Sequence, residues 1–221
     1  MLLIDYKLRK WGLRDKSSIS FFTPETQPLP AGGPEIGSKV VTMLSQRGIE
    51  WNPKEKLSRI HDGRCDFESG KTIDFDLLCC VPPHKAPQPT ISGGLTDQTG
   101  WITVNPRTME AKQQDVFAVG DVTSLATPHG YVPFLPKAGV FAHGQAETVA
   151  RNLTMKVEGK QPSDKWNGKS ACFLEIGYGK GAYVSGDFLA EPKPRLNFKM
   201  PSRTWHLGKV MFEKYWLWKY F

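Results

Sequence analysis

DVFAVGDVTSLATPHGYVPFLPKAGVFAHGQAETVARN, residues 115–152, is the stretch on which the reading of the chain turns. It opens with a short apolar run, Val116-Phe117-Ala118-Val119, that stops at Gly120-Asp121. The run predicts a buried strand. A strand ending in glycine lets the backbone come close to a ligand. The aspartate then places a carboxylate at the strand's C-terminal edge, where open α/β sheets take their ligands. A loop rich in proline, glycine and threonine follows, and then a long helical pattern entered at Pro136, with Val140, Phe141, Val149 and Leu153 as its apolar positions. The first turn of a helix presents N–H groups without intrahelical partners and the positive end of a dipole. That helix start therefore suits an anionic ligand.

Working outward toward the N-terminus, Leu2 to Trp11 has helical spacing and stops at Gly12. Ile19 to Thr23 reads as a strand. A proline-rich loop then leads to Pro34, which suits the first position of a helix running to about Gly48. Val40, Val41 and Leu44 form the apolar face of that helix, and Gly48 to Trp51 a second strand. The segments 56–61, 63–68 and 72–73 read as an antiparallel hairpin array around the Asp62-Gly63 turn. Phe75 to Val81, FDLLCCV, is an apolar run apart from Asp76 and predicts a buried strand closed by Pro82-Pro83. Residues 91–99 form a loop, and Trp101 to Val104 a short strand.

Toward the C-terminus, Gly177, Gly179 and Gly181 fall between two strand-like runs and predict a hairpin. Neither this cluster nor Gly32-Gly33-x-x-x-Gly37 is a G-x-G-x-x-G entering a helix, so the chain holds no complete dinucleotide fingerprint. Ser202 is a good helix N-cap. It opens a last helix in which Trp205, Phe212, Tyr215, Trp216, Trp218 and Tyr220 alternate with Arg203, Lys209, Lys214 and Lys219. That mixture suits a membrane interface or a surface covered by another chain.

Composition narrows the partners. The 221 residues are 39% hydrophobic, enough for a core, and the formal net charge is +7. A basic balance favours acidic partners such as phospholipid headgroups or a dinucleotide. Nucleic acid is excluded, because the cations are scattered and no recognition motif occurs. Four cysteines, Cys65, Cys79, Cys80 and Cys172, make no disulfide framework, and no metal site is expected. No apolar run approaches 18 residues, and the first residues have no signal-peptide layout. The expected location is cytoplasmic, peripheral to the inner face of a membrane.

VFAVGDVT followed by LPKAGVFAHGQAETVARNL resembles the second FAD-contacting segment of flavoproteins built from two dinucleotide domains. It is most similar to the branch of sulfide:quinone oxidoreductases and flavocytochrome c sulfide dehydrogenases, within the pyridine nucleotide-disulfide oxidoreductases. The resemblance runs from IDYKLRKWGLRDK to the tryptophan-rich end and corresponds to the family's C-terminal half. It implies an α/β fold: partial FAD/NAD(P)-binding Rossmann-like domains with a C-terminal β-hairpin and helix cap. The implied division is 1–88 as the rest of the second nucleotide domain, 89–160 as the rest of the FAD domain, and 161–221 as a cap facing a membrane.

The same resemblance implies roles. Gly120, Asp121 and Val122 would meet the ribitol and phosphate of FAD. Lys137, Ala138 and Gly139 at the helix entry would stabilise negative charge on the flavin. Cys172, within WNGKSACFLEIGYGKG, would be the redox cysteine that handles sulfur. Glu25 stands where an acid would hold a ribose, and His84 and Lys85 near the flavin side of a crossover, although each reads as well as a solvated loop residue. Ala111, in place of a threonine the family often has, loosens the match. Ala171 and Phe173 around Cys172 depart from the expected quinone-site aromatics. The implied activity is oxidation of sulfide or a thiol through cysteine and flavin to a quinone or another acceptor. FAD belongs to the complete protein. The first-half fingerprint is not in this sequence, so the chain alone is expected to be truncated and inactive, and to need an N-terminal half or to self-associate. A non-catalytic module of a split flavoprotein, or part of an NADH:quinone oxidoreductase, are the rival readings.

Overall fold

A computed structural model describes residues 1–130 and 132–221. In chain order the elements are α1 (Leu2–Lys10), β1 (Ile19–Phe22), α2 (Pro34–Ser45), β2 (Ile49–Asn52), β3 (Leu57–His61), β4 (Arg64–Phe67), β5 (Thr72–Asp74), α3 (Gln88–Ser92), β6 (Ile102–Thr103), β7 (Thr123–Ser124), α4 (Gly139–Val157), β8 (Lys169–Glu175), β9 (Gly181–Asp187), β10 (Arg195–Ser202) and α5 (Arg203–Tyr220). The last three strands form a sheet in the order β10-β9-β8. The fold is α/β and falls into two compact units, one of residues 1–81, 173–184 and 198–221, the other of residues 82–172 and 185–197.

In the first unit β1 and β2 pair in parallel, Ile19 opposite Ile49, joined by α2 as the strand–helix–strand pattern predicts. Pro34 does begin α2, behind Gly33. Val40, Met43 and Leu44 of that helix pack with Leu2, Ile49 and Ile176 into one core. Asp5 of α1 lies fully buried beneath it. Its carboxylate takes the Nε of Arg14 at 2.8 Å and of Arg9 at 3.0 Å, with Arg47 Nη1 at 3.6 Å. Arg47 in turn donates to the carbonyls of Leu2 and Ile176. One buried acid thus ties α1 to the end of α2, with three arginine side chains around its charge. β3, β4 and β5 form the expected antiparallel array.

In the second unit β6 and β7 pair in parallel over a core of Ile102, Val104, Met109, Ala118, Leu125, Phe141, Trp166 and Phe188. Phe141 meets Trp166 and Phe188 edge-on. Rings in that geometry gain on top of the area they bury.

Four expectations are corrected. Phe75 to Val81 is no buried strand: Cys79 and Cys80 are exposed, as are Leu77 and Val81, at 77% and 82%. A strand exists only where a neighbour accepts its backbone bonds, and among the described residues none lies along this run. Val116 to Val119 is not paired as a strand, apart from one bridge at Phe117; the paired strand is Thr123–Ser124, beyond Gly120-Asp121 rather than before it. α4 begins at Gly139, so Pro136 stands outside the helix. Residues 88–92 are helical, overlapping the expected loop.

Candidate functional site

The Gly120-Asp121-Val122 segment is a single 3₁₀ turn between the extended Val119 and β7. Gly120 has φ +70°, and a Cβ built on it would sit 2.8 Å from Ala142 Cβ of α4. Only glycine suits both conditions: the left-handed backbone penalises a side chain, and the helix wall leaves no room for one. The Gly120 N–H donates to Gln145 Oε1 at 2.7 Å. Gln145, buried on α4, therefore fixes the distance between turn and helix. The Gly120 N–H is therefore used inside the fold.

Asp121 keeps an exposed carboxylate at the tip of the turn, and Val122 is half-buried behind it. Lys137 is half-buried. Its ammonium donates to the carbonyls of Asp121 and Thr123 and lies 3.4 Å from the centre of the Trp101 ring. Burial pulls its pKa down, opposed by the charge of Asp121. Ala138, extended, caps α4, and its carbonyl accepts the N–H groups of Phe141 and Ala142. Gly139 is the first helical residue, exposed at the start of a 19-residue helix. Gly120, Asp121, Lys137, Ala138, Phe141 and Gln145 line one cleft of about 10 Å³, room for about one water. A large planar ligand would lie against this edge rather than inside it.

Of the predicted cofactor residues, Gly120, Asp121, Lys137 and Ala138 line this cleft, while Val122 and Gly139 do not. Cys172 is not among the residues lining the cleft; it lies exposed on β8. Cys65 is buried on β4, and burial pushes its thiol pKa up, which makes it a poor thiolate. Glu25, His84 and Lys85 are all exposed. Among the described residues no group of three or more His, Cys, Asp or Glu is placed to hold a metal, and no helix is long and apolar enough to cross a membrane.

Three residues of the site escaped the sequence reading. Gln145 and Ala142 carry no signal in the sequence, because their partner is 25 and 22 positions away in a different element. Asp97 could have been found, since Asp-x-Thr is the spacing of a side chain that caps its own turn. Its carboxylate accepts from the Thr99 N–H at 2.7 Å, from the hydroxyls of Thr99 and Thr103, and from Ser124 Oγ at 3.3 Å. These bonds, that of Thr103 first, hold its pKa down at about 2.

The Gly120-Asp121-Val122 turn thus enters β7 of the parallel pair and meets the first turns of α4, within an α/β fold. No family model matches the sequence. The fold is similar to that of the sulfide:quinone oxidoreductase from the bacterium Aquifex aeolicus, with a TM-score of 0.85 at 23% identity, over 99% of this chain and 53% of that one. In sequence the chain is 25% identical to the sulfide-quinone reductase of Aquifex aeolicus over 231 residues, 99% of this chain and 53% of the relative. It is also 25% identical to the mitochondrial sulfide:quinone oxidoreductase of Mus musculus over 201 residues, 87% of this chain and 42% of that relative. The chain is similar to sulfide:quinone oxidoreductases in sequence and fold, and it spans about half the length of the curated relatives it matches.

Proposed function

We propose that this chain is the C-terminal portion of an FAD-dependent oxidoreductase that oxidises sulfide or a thiol and passes electrons to a quinone or another acceptor. The observation that carries the reading is the similarity to sulfide-quinone reductase over 99% of the chain. It includes a Gly120-Asp121 turn held against the start of α4 by Gln145. The residues present fit a flavin nucleotide. Asp121 offers an exposed carboxylate to ribitol hydroxyls. The first N–H groups of α4 offer partial positive charge beside it. Lys137, turned back onto carbonyls and Trp101, holds a full positive charge at the same edge. The flavin supplies the two-electron acceptor. Ala138 and Gly139 keep the helix entry open, since neither carries a side chain larger than a methyl. Cys172, exposed on β8, serves as the thiol that takes up sulfur. The segments 1–88, 89–160 and 161–221 then serve as second nucleotide domain, FAD domain and cap, in a protein peripheral to the inner face of a membrane.

A second reading is an assembly module that completes its site with a separate N-terminal half. What favours it is the surface: α5 has no buried residue, and Leu77, Val81 and Trp218 are each more than three-quarters exposed. Exposed apolar side chains, where they gather, mark surfaces that another molecule covers, whether an N-terminal half, a second copy or a membrane surface against residues 202–221.

The test is the visible absorption spectrum of the protein before and after incubation with FAD and gel filtration. A retained flavin band that sulfide bleaches in wild type and not in Cys172→Ser supports the oxidoreductase reading. A band gained only with an N-terminal half supports the assembly reading. Absence of flavin under both conditions overturns the first.

A further inference from the structure

We propose that Asp97 is a positioning residue of this site, acting through β6, β7 and Trp101 to hold the Lys137 ammonium at the cleft edge. The inference rests on the proposed flavin reading for what the edge does, but not for how it is built.

The geometry is a relay of short links. The Asp97 N–H donates to the Trp101 carbonyl at 2.8 Å, and the Gly100 N–H to the Asp97 carbonyl at 3.0 Å, so the loop from 97 to 101 is closed on itself. The Asp97 carboxylate then receives Thr103 of β6 and Ser124 of β7, one hydroxyl from each strand of the parallel pair. Those hydroxyls lie 3.4 Å apart. A two-residue parallel pair has few backbone bonds of its own, so a shared ionised acceptor adds charge-assisted bonds across it. The ends of this relay are the groups that hold Lys137. Trp101 ends the closed loop and presents its ring to the ammonium. Thr123, the neighbour of Ser124, supplies one carbonyl, and Asp121 the other. The Thr123 hydroxyl also donates to the Gly120 carbonyl at 2.8 Å, which carries the same fixation into the glycine turn. Among the described residues, the charge that bears on Lys137 is that of Asp121.

A purely structural aspartate would stabilise the loop and leave the lysine alone. A positioning aspartate sets the environment of the lysine. The experiment therefore titrates the Lys137 side chain by NMR in protein carrying isotope-labelled lysine, with Lys137→Met to assign the signal, in wild type and in Asp97→Asn. The asparagine keeps the size but loses the charge and one strong acceptor. The expected result is a wild-type midpoint below the ordinary lysine value of 10.5 and a rise toward that value in Asp97→Asn. Thr103→Val, which removes one donor and leaves the carboxylate in place, should move the midpoint the same way by less, and serves if Asp97→Asn does not fold. Unchanged midpoints in the folded variants overturn the proposal. FAD titration is a separate arm. Where wild type binds FAD, Asp97→Asn should weaken it by about tenfold, and equal affinity counts against the proposal. Where wild type binds none, the flavin reading of the site falls while the lysine titration still decides the role of Asp97.

Discussion

Replacing Gly120 by alanine tests the construction of the turn. Two separate penalties are expected. The residue has φ +70°, and the left-handed region costs a residue with a Cβ about 1–2 kcal/mol. The new methyl would also lie 2.8 Å from Ala142 Cβ, closer than real Cβ contacts, so α4 or the turn must shift. Forcing a methyl into a packed position costs about 1–3 kcal/mol. The total is about 2–5 kcal/mol, the sum of two terms from different sources. Gly159 separates them, for it has the same φ of +70° with nothing within 4 Å of its virtual Cβ. Urea unfolding followed by tryptophan fluorescence should show Gly159→Ala losing only the backbone term, about 1–2 kcal/mol, and Gly120→Ala losing more. Adding Ala142→Gly to Gly120→Ala should return part of the difference, less about 1 kcal/mol for glycine inside a helix. Equal losses at Gly120 and Gly159, or no recovery in the double variant, would refute the claim that the turn is packed against the helix.

Other outcomes follow from the same structure. Asp5→Ala leaves Arg14 and Arg47, both largely buried, without their counter-charge; thermal and urea unfolding should show a loss of about 3–5 kcal/mol, and a loss below about 1 kcal/mol would contradict the buried cluster. Asp97 has a folded pKa of about 2 against an ordinary 3.8, so the stability it contributes is complete above about pH 4 and disappears as pH falls toward 2. The stability difference between wild type and Asp97→Asn should therefore close over that window, and a difference constant from pH 6 to pH 2 would contradict the assignment. Cys172→Ser, at an exposed position, should change stability by less than about 0.5 kcal/mol while abolishing sulfide-dependent reduction of any bound flavin; retained reduction removes Cys172 from the chemistry.

Local signals in the sequence located many elements but not their partners. Pro34 behind Gly33, Asp62-Gly63 between β3 and β4, and Ser202 before α5, its hydroxyl accepting the Trp205 N–H, are all decided by neighbouring residues, and each stands where the sequence places it. Phe75 to Val81 failed because an apolar run says only that a segment prefers burial. Whether burial is available depends on a neighbouring strand, which no local pattern encodes. Pro136 failed for a related reason. Proline is compatible with a helix start, but the chain stays extended through Ala138, while Lys137 reaches back to the Asp121 and Thr123 carbonyls. At the site, the break at Gly120-Asp121 was legible because glycine after an apolar run signals a turn, and Gly120 does stand in one, with φ +70°. Gln145, whose oxygen holds the Gly120 N–H, was not, since one polar residue on a helix looks like any other until its partner is known.

The most direct test of the flavoprotein reading is the visible spectrum of this protein isolated by an affinity tag from its own cells, so that any chain it needs comes with it, recorded anaerobically before and after sulfide. The account predicts a flavin band that sulfide bleaches and quinone restores. A preparation with no flavin, or with a flavin that sulfide leaves oxidised, would contradict it.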